Sequence, residues 1–146
     1  MNILFVCTGN TCRSAMAAAV MDKIAQERDL DVRIESAGLF AADGETASYN
    51  AVEALKKYGI DLSYHRSKQI TEDLINQSDL ILTMTAQHKQ FLMQIADGKV
   101  FTLSEYVGAA GDITDPYGGN LKTYEETAEE LYKLLNTLAD KLSEGK

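Results

Sequence analysis

The chain has 146 residues, a formal net charge of −8, two cysteines and one proline, which is enough for one domain with a full apolar core and no covalent staples. The acidic balance excludes a nucleic-acid binder, because affinity for a phosphate backbone requires a basic face. Two cysteines five positions apart exclude a secreted disulfide framework, and no His or Cys cluster has zinc-ligand spacing.

The chain opens on a short apolar run, Ile3 to Val6, of the kind that is buried on both faces in a parallel sheet. MNILFVC is too short for a secretory h-region and lacks a basic flank, and no run approaches the ~20 apolar residues of a membrane span. A cytoplasmic protein is therefore expected. CTGNTCRS follows at residues 7 to 14, and Met16, Val20 and Ile24 then recur at helical spacing. A loop that passes from a strand straight into a helix gathers backbone N–H groups in a concavity at the positive end of the helix dipole, which suits a phosphate. Cys7, at the strand end, would feel those amides and the Arg13 guanidinium, which favours its nucleophilic thiolate form. Gly9 and Asn10 stand where a positive φ is expected, and Ser14 stands at the helix start.

Val32 to Ile34 reads as a second strand, and Val52 and Leu55 mark a second helix that Gly59 can cap in the left-handed conformation. Leu80 to Met84 and Val100 to Leu103 read as two further strands. His88, within TAQHKQ, reads as an exposed helix residue without a role. Gly108 to Asn120 contains four glycines and Pro116 and is the longest expected loop. Leu131, Leu134, Leu135, Leu138 and Leu142 form one helical stripe, with Glu125 and Glu126 near its start and Lys141 near its end, a polarity that suits the helix dipole. Strands alternating with helices predict an α/β domain over residues 1–146, with a parallel sheet wrapped on both faces and ligands at the carboxyl ends of the strands. Cys7 falls at such an end.

CTGNTCRS near the N-terminus and DPYGG at residues 115 to 119 resemble the low-molecular-weight protein tyrosine phosphatase family. ESAG at 35 to 38, His65 before RSKQI, and DLILTM at 79 to 84 also look like family segments, so the resemblance spans nearly the whole chain. It implies a three-layer sandwich on a four-stranded parallel sheet of order 2-1-3-4. It also implies that Cys7 attacks phosphorus to give a cysteinyl-phosphate. Arg13 and the amides of Thr8, Gly9, Asn10, Thr11, Cys12 and Ser14 would form the phosphate loop, and Asp115 would protonate the leaving group and later activate water. These roles suit phosphoryl transfer, in which the protein mainly positions groups and stabilises charge, and they need no metal or cofactor. Asp-Pro also commonly begins a turn, so Asp115 by itself reads as a turn residue.

In the resemblance Asn10, Ser14, Ser36 and His65 brace the loop by hydrogen bonds, while Ser36 and His65 read alone are ordinary polar residues. Cys12 corresponds to a cysteine that can form a reversible disulfide with Cys7; by residue type it is as readily a small apolar filler. Phe40 and Tyr117 are candidate walls of the substrate slot, suited to a tyrosine ring or a guanidinium plane. Ala15 departs from the family, which carries proline there.

Thr11 bears on substrate choice. Conventional members resemble CxGNICRS, with an apolar isoleucine wall for a phenyl ring, whereas bacterial protein arginine phosphatases resemble CTGNTCRS, as here. Threonine is smaller and offers a hydroxyl to a guanidinium, and it can equally serve only the loop backbone. The expected function is hydrolysis of phosphoarginine on proteins, with phosphotyrosine as the alternative. The expected partners are phosphorylated proteins, not nucleic acid or membrane, and the expected state is a monomer. Arsenate reductase is disfavoured because residues 82 to 89, LTMTAQHK, hold no further cysteine to relay electrons. A phosphoprotein-binding module without turnover would not need Asp115.

Overall fold

The computed structural model describes residues 1–96 and 98–144. Strand β1 (Asn2–Cys7) lies inside a parallel sheet between β2 (Arg33–Gly38) and β3 (Leu80–Thr83), with β4 (Val100–Thr102) beyond β3. The order is β2-β1-β3-β4, as expected. Side chains of β1 alternate between the two faces. Ile3, Phe5 and Cys7 pack with helices α1 (Arg13–Glu27), α2 (Tyr49–Lys56) and α6 (Leu121–Glu144). Leu4 and Val6 pack on the opposite face, with Ile75 of α3 (Glu72–Gln77) and Leu92 of α4 (Ala86–Met93). Burial on both sides is why β1 reads as an unbroken apolar run rather than an alternating one.

The periodic segments fold as their spacing predicts. Met16, Val20 and Ile24 are the buried stripe of α1. Leu131, Leu135 and Leu138 are fully buried in α6, and Leu134 and Leu142 pack at the margin of the same cluster. Gly59 closes α2 at φ 74°, its amide reaching the Lys56 carbonyl at 2.9 Å while the Ile60 amide reaches Leu55. No helix among the described residues is long and apolar enough to cross a membrane.

Three local differences have physical causes. β2 extends past Ile34 to Gly38, because Glu35 to Gly38 pair in register with Leu4 to Cys7 although they form no apolar run. β4 stops at Thr102, one residue early, where Thr102 and Glu105 build a reciprocal capping box for the single-turn helix α5 (Leu103–Tyr106). The positive φ in the first loop falls on Asn10, at 58°, and not on Gly9.

Gly38, paired with Cys7 at the end of β2, is under the closest constraint in the sheet. A Cβ placed there would lie 2.6 Å from the Thr8 carbonyl oxygen and 2.8 Å from the Ala41 Cβ. The Thr8 oxygen is backbone, held by the Phe40 amide at 2.9 Å, so it cannot step aside cheaply. Gly38→Ala is expected to cost about 1–3 kcal/mol of stability by overpacking, measured as a lower urea midpoint at unchanged slope; an unchanged midpoint would show that the contact yields freely.

Candidate active site

Residues 7–13 curl from the end of β1 into the first turn of α1, and most of their carbonyls are tied outward. The Cys7 carbonyl accepts from the Leu39 amide at 2.9 Å, Thr8 from Phe40 at 2.9 Å, Thr11 from Ser48 at 3.0 Å, and Cys12 from Met16 at 2.9 Å. The Asn10 carbonyl accepts from the His65 ring Nε2 at 2.6 Å. In a planar trans peptide the following N–H points the opposite way, so these bonds turn the loop's amides toward the concavity. Cys12, at the N-cap of α1, supplies no side-chain acceptor to the first-turn amides. An anion is the natural complement of such an end.

Asn10 is the internal brace. It is fully buried, and its side-chain amide donates to Ser14 Oγ at 2.8 Å and Ser36 Oγ at 2.9 Å, while its Oδ1 accepts from the Lys68 amide at 3.0 Å. Every polar position of the side chain is used, so its orientation is fixed by its partners. Ser14, the second residue of α1, is not a cap; having accepted from Asn10, its hydroxyl lies 2.9 Å from Cys7 Sγ. With Cys7 as thiolate, which can only accept, the Ser14 hydrogen points to the sulfur. Ser36 and His65 both reach the loop, through the Asn10 side chain and the Asn10 carbonyl respectively. Ala15 occupies the first turn of α1, buried in the core.

Cys7, Thr8, Gly9, Asn10, Thr11, Cys12 and Arg13 line a cavity of about 270 Å³ together with Asp115 and Tyr117. Arg13 is buried; one guanidinium nitrogen donates to the Ile113 carbonyl at 3.3 Å and the other pairs with the half-exposed Asp115 carboxylate at 3.5 Å. The loop that carries Asp115 is fastened to the sheet, since the Ile113 amide donates to the Met84 carbonyl just past β3. Asp115 also forms the turn that Asp-Pro suggests, accepting from the Tyr117 amide at 3.0 Å. Tyr117 stands exposed at the cavity. Phe40 is exposed as well, packing edge-on against Phe91 at 5.6 Å, and is not among the residues lining the cavity. Among the described residues Thr11 Oγ1 has only a 3.9 Å contact with Cys12 Sγ. Cys7 and Cys12 are free thiols, and Cys12 Sγ lies 3.5 Å from both Ser48 Oγ and Tyr124 Oη.

His88 is the residue that sequence reasoning missed. It is not exposed: its accessibility is 7%, and its Nε2 lies 2.9 Å from Thr8 Oγ1. Burial, reinforced by the neighbouring Arg13 cation, pushes its pKa down to about 4, so the ring is neutral near pH 7. Burial also lowers His65, against the opposing effect of its bond to the Asn10 carbonyl. The available signal for His88 was topological, since it lies shortly after the carboxyl end of β3, where loops of a parallel sheet converge. Among the described residues no group of three or more His, Cys, Asp or Glu side chains is placed to hold a metal ion.

A family model described as low molecular weight phosphotyrosine protein phosphatase matches residues 2–146. The protein-arginine-phosphatase of Bacillus subtilis is 47% identical, covering 100% of this chain and 99% of that protein. The low molecular weight protein-tyrosine-phosphatase PtpB of Staphylococcus haemolyticus is 45% identical, covering 94% of this chain and 97% of that one. Among solved structures, a YwlE arginine phosphatase mutant with a phosphorylated active-site serine superposes with a TM-score of 0.95 at 47% identity, covering 98% of this chain and 96% of that chain.

The depressed pKa of His88 makes stability depend on pH in a definite direction. The unfolded chain protonates this histidine near its ordinary 6.5, the folded chain only near about 4, so the stability tied to its neutral form is complete above 6.5 and is lost progressively as pH falls toward 4. In His88→Gln the decrease in Tm between pH 7 and pH 5 is expected to be smaller than in the parent; equal decreases would contradict the assignment.

Proposed function

The chain belongs to the low molecular weight phosphotyrosine protein phosphatase family, and from that premise we propose that it hydrolyses phosphoarginine on proteins through a cysteinyl-phosphate intermediate. The observation that carries the reading is one cavity lined at once by Cys7, Arg13, Asp115 and Thr11. The first three are a nucleophile, an oxyanion clamp and a proton donor. The fourth, Thr11, supports the choice of substrate, together with full-length similarity to proteins named protein-arginine-phosphatase.

The phosphoryl group enters the concavity with its oxygens toward the loop amides and the Arg13 guanidinium, which stabilise charge without reorganising. The incoming dianion competes with Asp115 for Arg13 and frees that half-exposed carboxyl, which also lines the cavity, to face the leaving group. Ser14 donates to the Cys7 thiolate and holds it in line. The thiolate attacks phosphorus, an S–P bond forms as the P–N bond breaks, and Asp115, which takes a proton from water once Arg13 has turned to the phosphoryl oxygens, delivers it to the departing guanidino nitrogen. Water then attacks phosphorus while the Asp115 carboxylate takes its proton. The S–P bond breaks, returning the thiolate and releasing orthophosphate. Tyr117 offers an aromatic face to the guanidinium plane, and the Thr11 hydroxyl, spared from any strong internal bond, offers it an acceptor.

Side-by-side phosphate release from phosphoarginine and phosphotyrosine substrates tests the reading. A higher kcat/KM on phosphoarginine is expected, with partial reversal in Thr11→Ile; equal rates, or an unmoved ratio in the variant, would favour the tyrosine phosphatase reading. For the acid, Asp115→Asn is expected to lower kcat by roughly 10²–10⁴-fold, the usual range for a positioned proton donor, and most strongly with poor leaving groups. A loss independent of the leaving group would assign Asp115 another role.

A further inference from the structure

His88 is buried beside the cavity but is absent from its lining, and the mechanism above makes no use of it. Its Nε2 is 2.9 Å from Thr8 Oγ1, and its Nδ1 is buried without a hydrogen-bond partner among the described residues. A buried N–H with no acceptor is rarer than a buried acceptor left without a donor. The tautomer that leaves no N–H orphaned has Nδ1 bare and the hydrogen on Nε2. Nε2–H donates to Thr8, so the Thr8 hydroxyl accepts on the protein side and its own hydrogen is left to turn elsewhere. Thr8 is exposed and lines the cavity immediately after Cys7, so elsewhere means the cavity.

We propose that His88 is a positioning residue for phosphate recognition, holding the Thr8 hydroxyl so that it donates a side-chain hydrogen bond to a phosphoryl oxygen alongside the loop amides. The arrangement is a relay of two hydrogen bonds from helix α4 through the loop to the anion. It requires a neutral ring. A protonated His88 would put a hydrogen on Nδ1, which has no acceptor, and would add a second cation beside Arg13. The charged groups that act on His88 are Arg13 of α1 and Asp112 and Asp115 of the long loop. Arg13 and burial outweigh the two carboxylates and keep the ring uncharged. The Thr85 hydroxyl, which caps α4 by accepting from the His88 amide at 3.2 Å, fixes the backbone from which the ring reaches across. Unpartnered Nδ1 thus marks the side of the ring that faces away from the relay.

This inference rests on the cavity being a phosphate site, and inorganic phosphate is the probe that separates the two claims. Calorimetric titration of the full chain is expected to show Kd for phosphate raised about tenfold in Thr8→Val and in His88→Leu, the scale of one hydrogen bond to a charged oxygen. The double variant is expected to be no weaker than either single one, since both remove the same bond. His88→Gln, which can place an N–H near the position of Nε2, is expected to keep most of the affinity. An unchanged Kd in Thr8→Val, or additive losses in the double variant, would overturn the relay; if His88→Leu fails to fold, Thr8→Val and His88→Gln decide it alone. Phosphate release from phosphoarginine with Thr8→Val unaffected would leave the hydrolase reading standing and this one refuted. Phosphate binding that follows the predicted pattern without turnover on any phosphorylated protein would do the reverse, and a parent chain that binds no phosphate would refute the relay as well.

Discussion

The site depends on one constraint, that a seven-residue loop hold its N–H groups inward against the backbone's tendency to scatter them. The outward ties of its carbonyls to Leu39, Phe40, Ser48 and His65 supply it, and none of those donors is local in sequence. Asn10 takes the one left-handed conformation the curl requires and uses its buried amide to join the loop to α1, β2 and the segment at Lys68. A residue with a Cβ in that conformation is tolerated where its short polar side chain finds partners at once. Three such partners are present, which is how strain at the curl becomes rigidity of the cradle.

A protein with net charge −8 that presents an anion site must make its positive field locally. Arg13 is the one buried guanidinium at the cavity, and the loop amides and the N-terminus of α1 add partial charges that water cannot screen from within. The acidic surface elsewhere is screened over distances of ~8–10 Å at physiological salt and does not cancel a contact made at hydrogen-bond range. Asp115 is the exception placed on purpose at the cavity. Half-exposed and 3.5 Å from the Arg13 guanidinium, it balances that charge until an anion arrives.

The parallel order β2-β1-β3-β4 explains why distant residues meet. The connections leave the adjacent ends of β1 and β3 in opposite directions, which opens a crevice there. The cysteine loop follows β1, His88 follows β3, and the glycine-containing loop with Asp115 is fastened to the same end through the Ile113 amide on Met84. More than a hundred residues of chain separate Cys7 from Asp115, yet the sheet delivers both to one cavity.

Much of this was legible along the chain. The unbroken apolar run of β1, the stripes of α1 and α6 and the left-handed Gly59 follow from burial periodicity and backbone sterics, which act over a few residues. CTGNTCRS at a strand-to-helix junction marked a phosphate cradle for the same local reason. What failed were features without a local signature. Glu35 to Gly38 became strand only because β1 pairs with them, and Gly9 and Asn10 could not be told apart as bearers of the positive φ until the loop's outside partners were in place. His88 looked like a surface residue of a short helix, because nothing within TAQHKQ records that Thr8, eighty residues earlier, packs against it. The sequence by itself determined the periodic strands and helices and the place where β1 gives way to α1, since these depend on neighbours in the chain. Tertiary structure alone decided which amides face inward, which histidine is buried and neutral, and which carboxylate meets the guanidinium, since each depends on bonds between segments that only the folded sheet brings together.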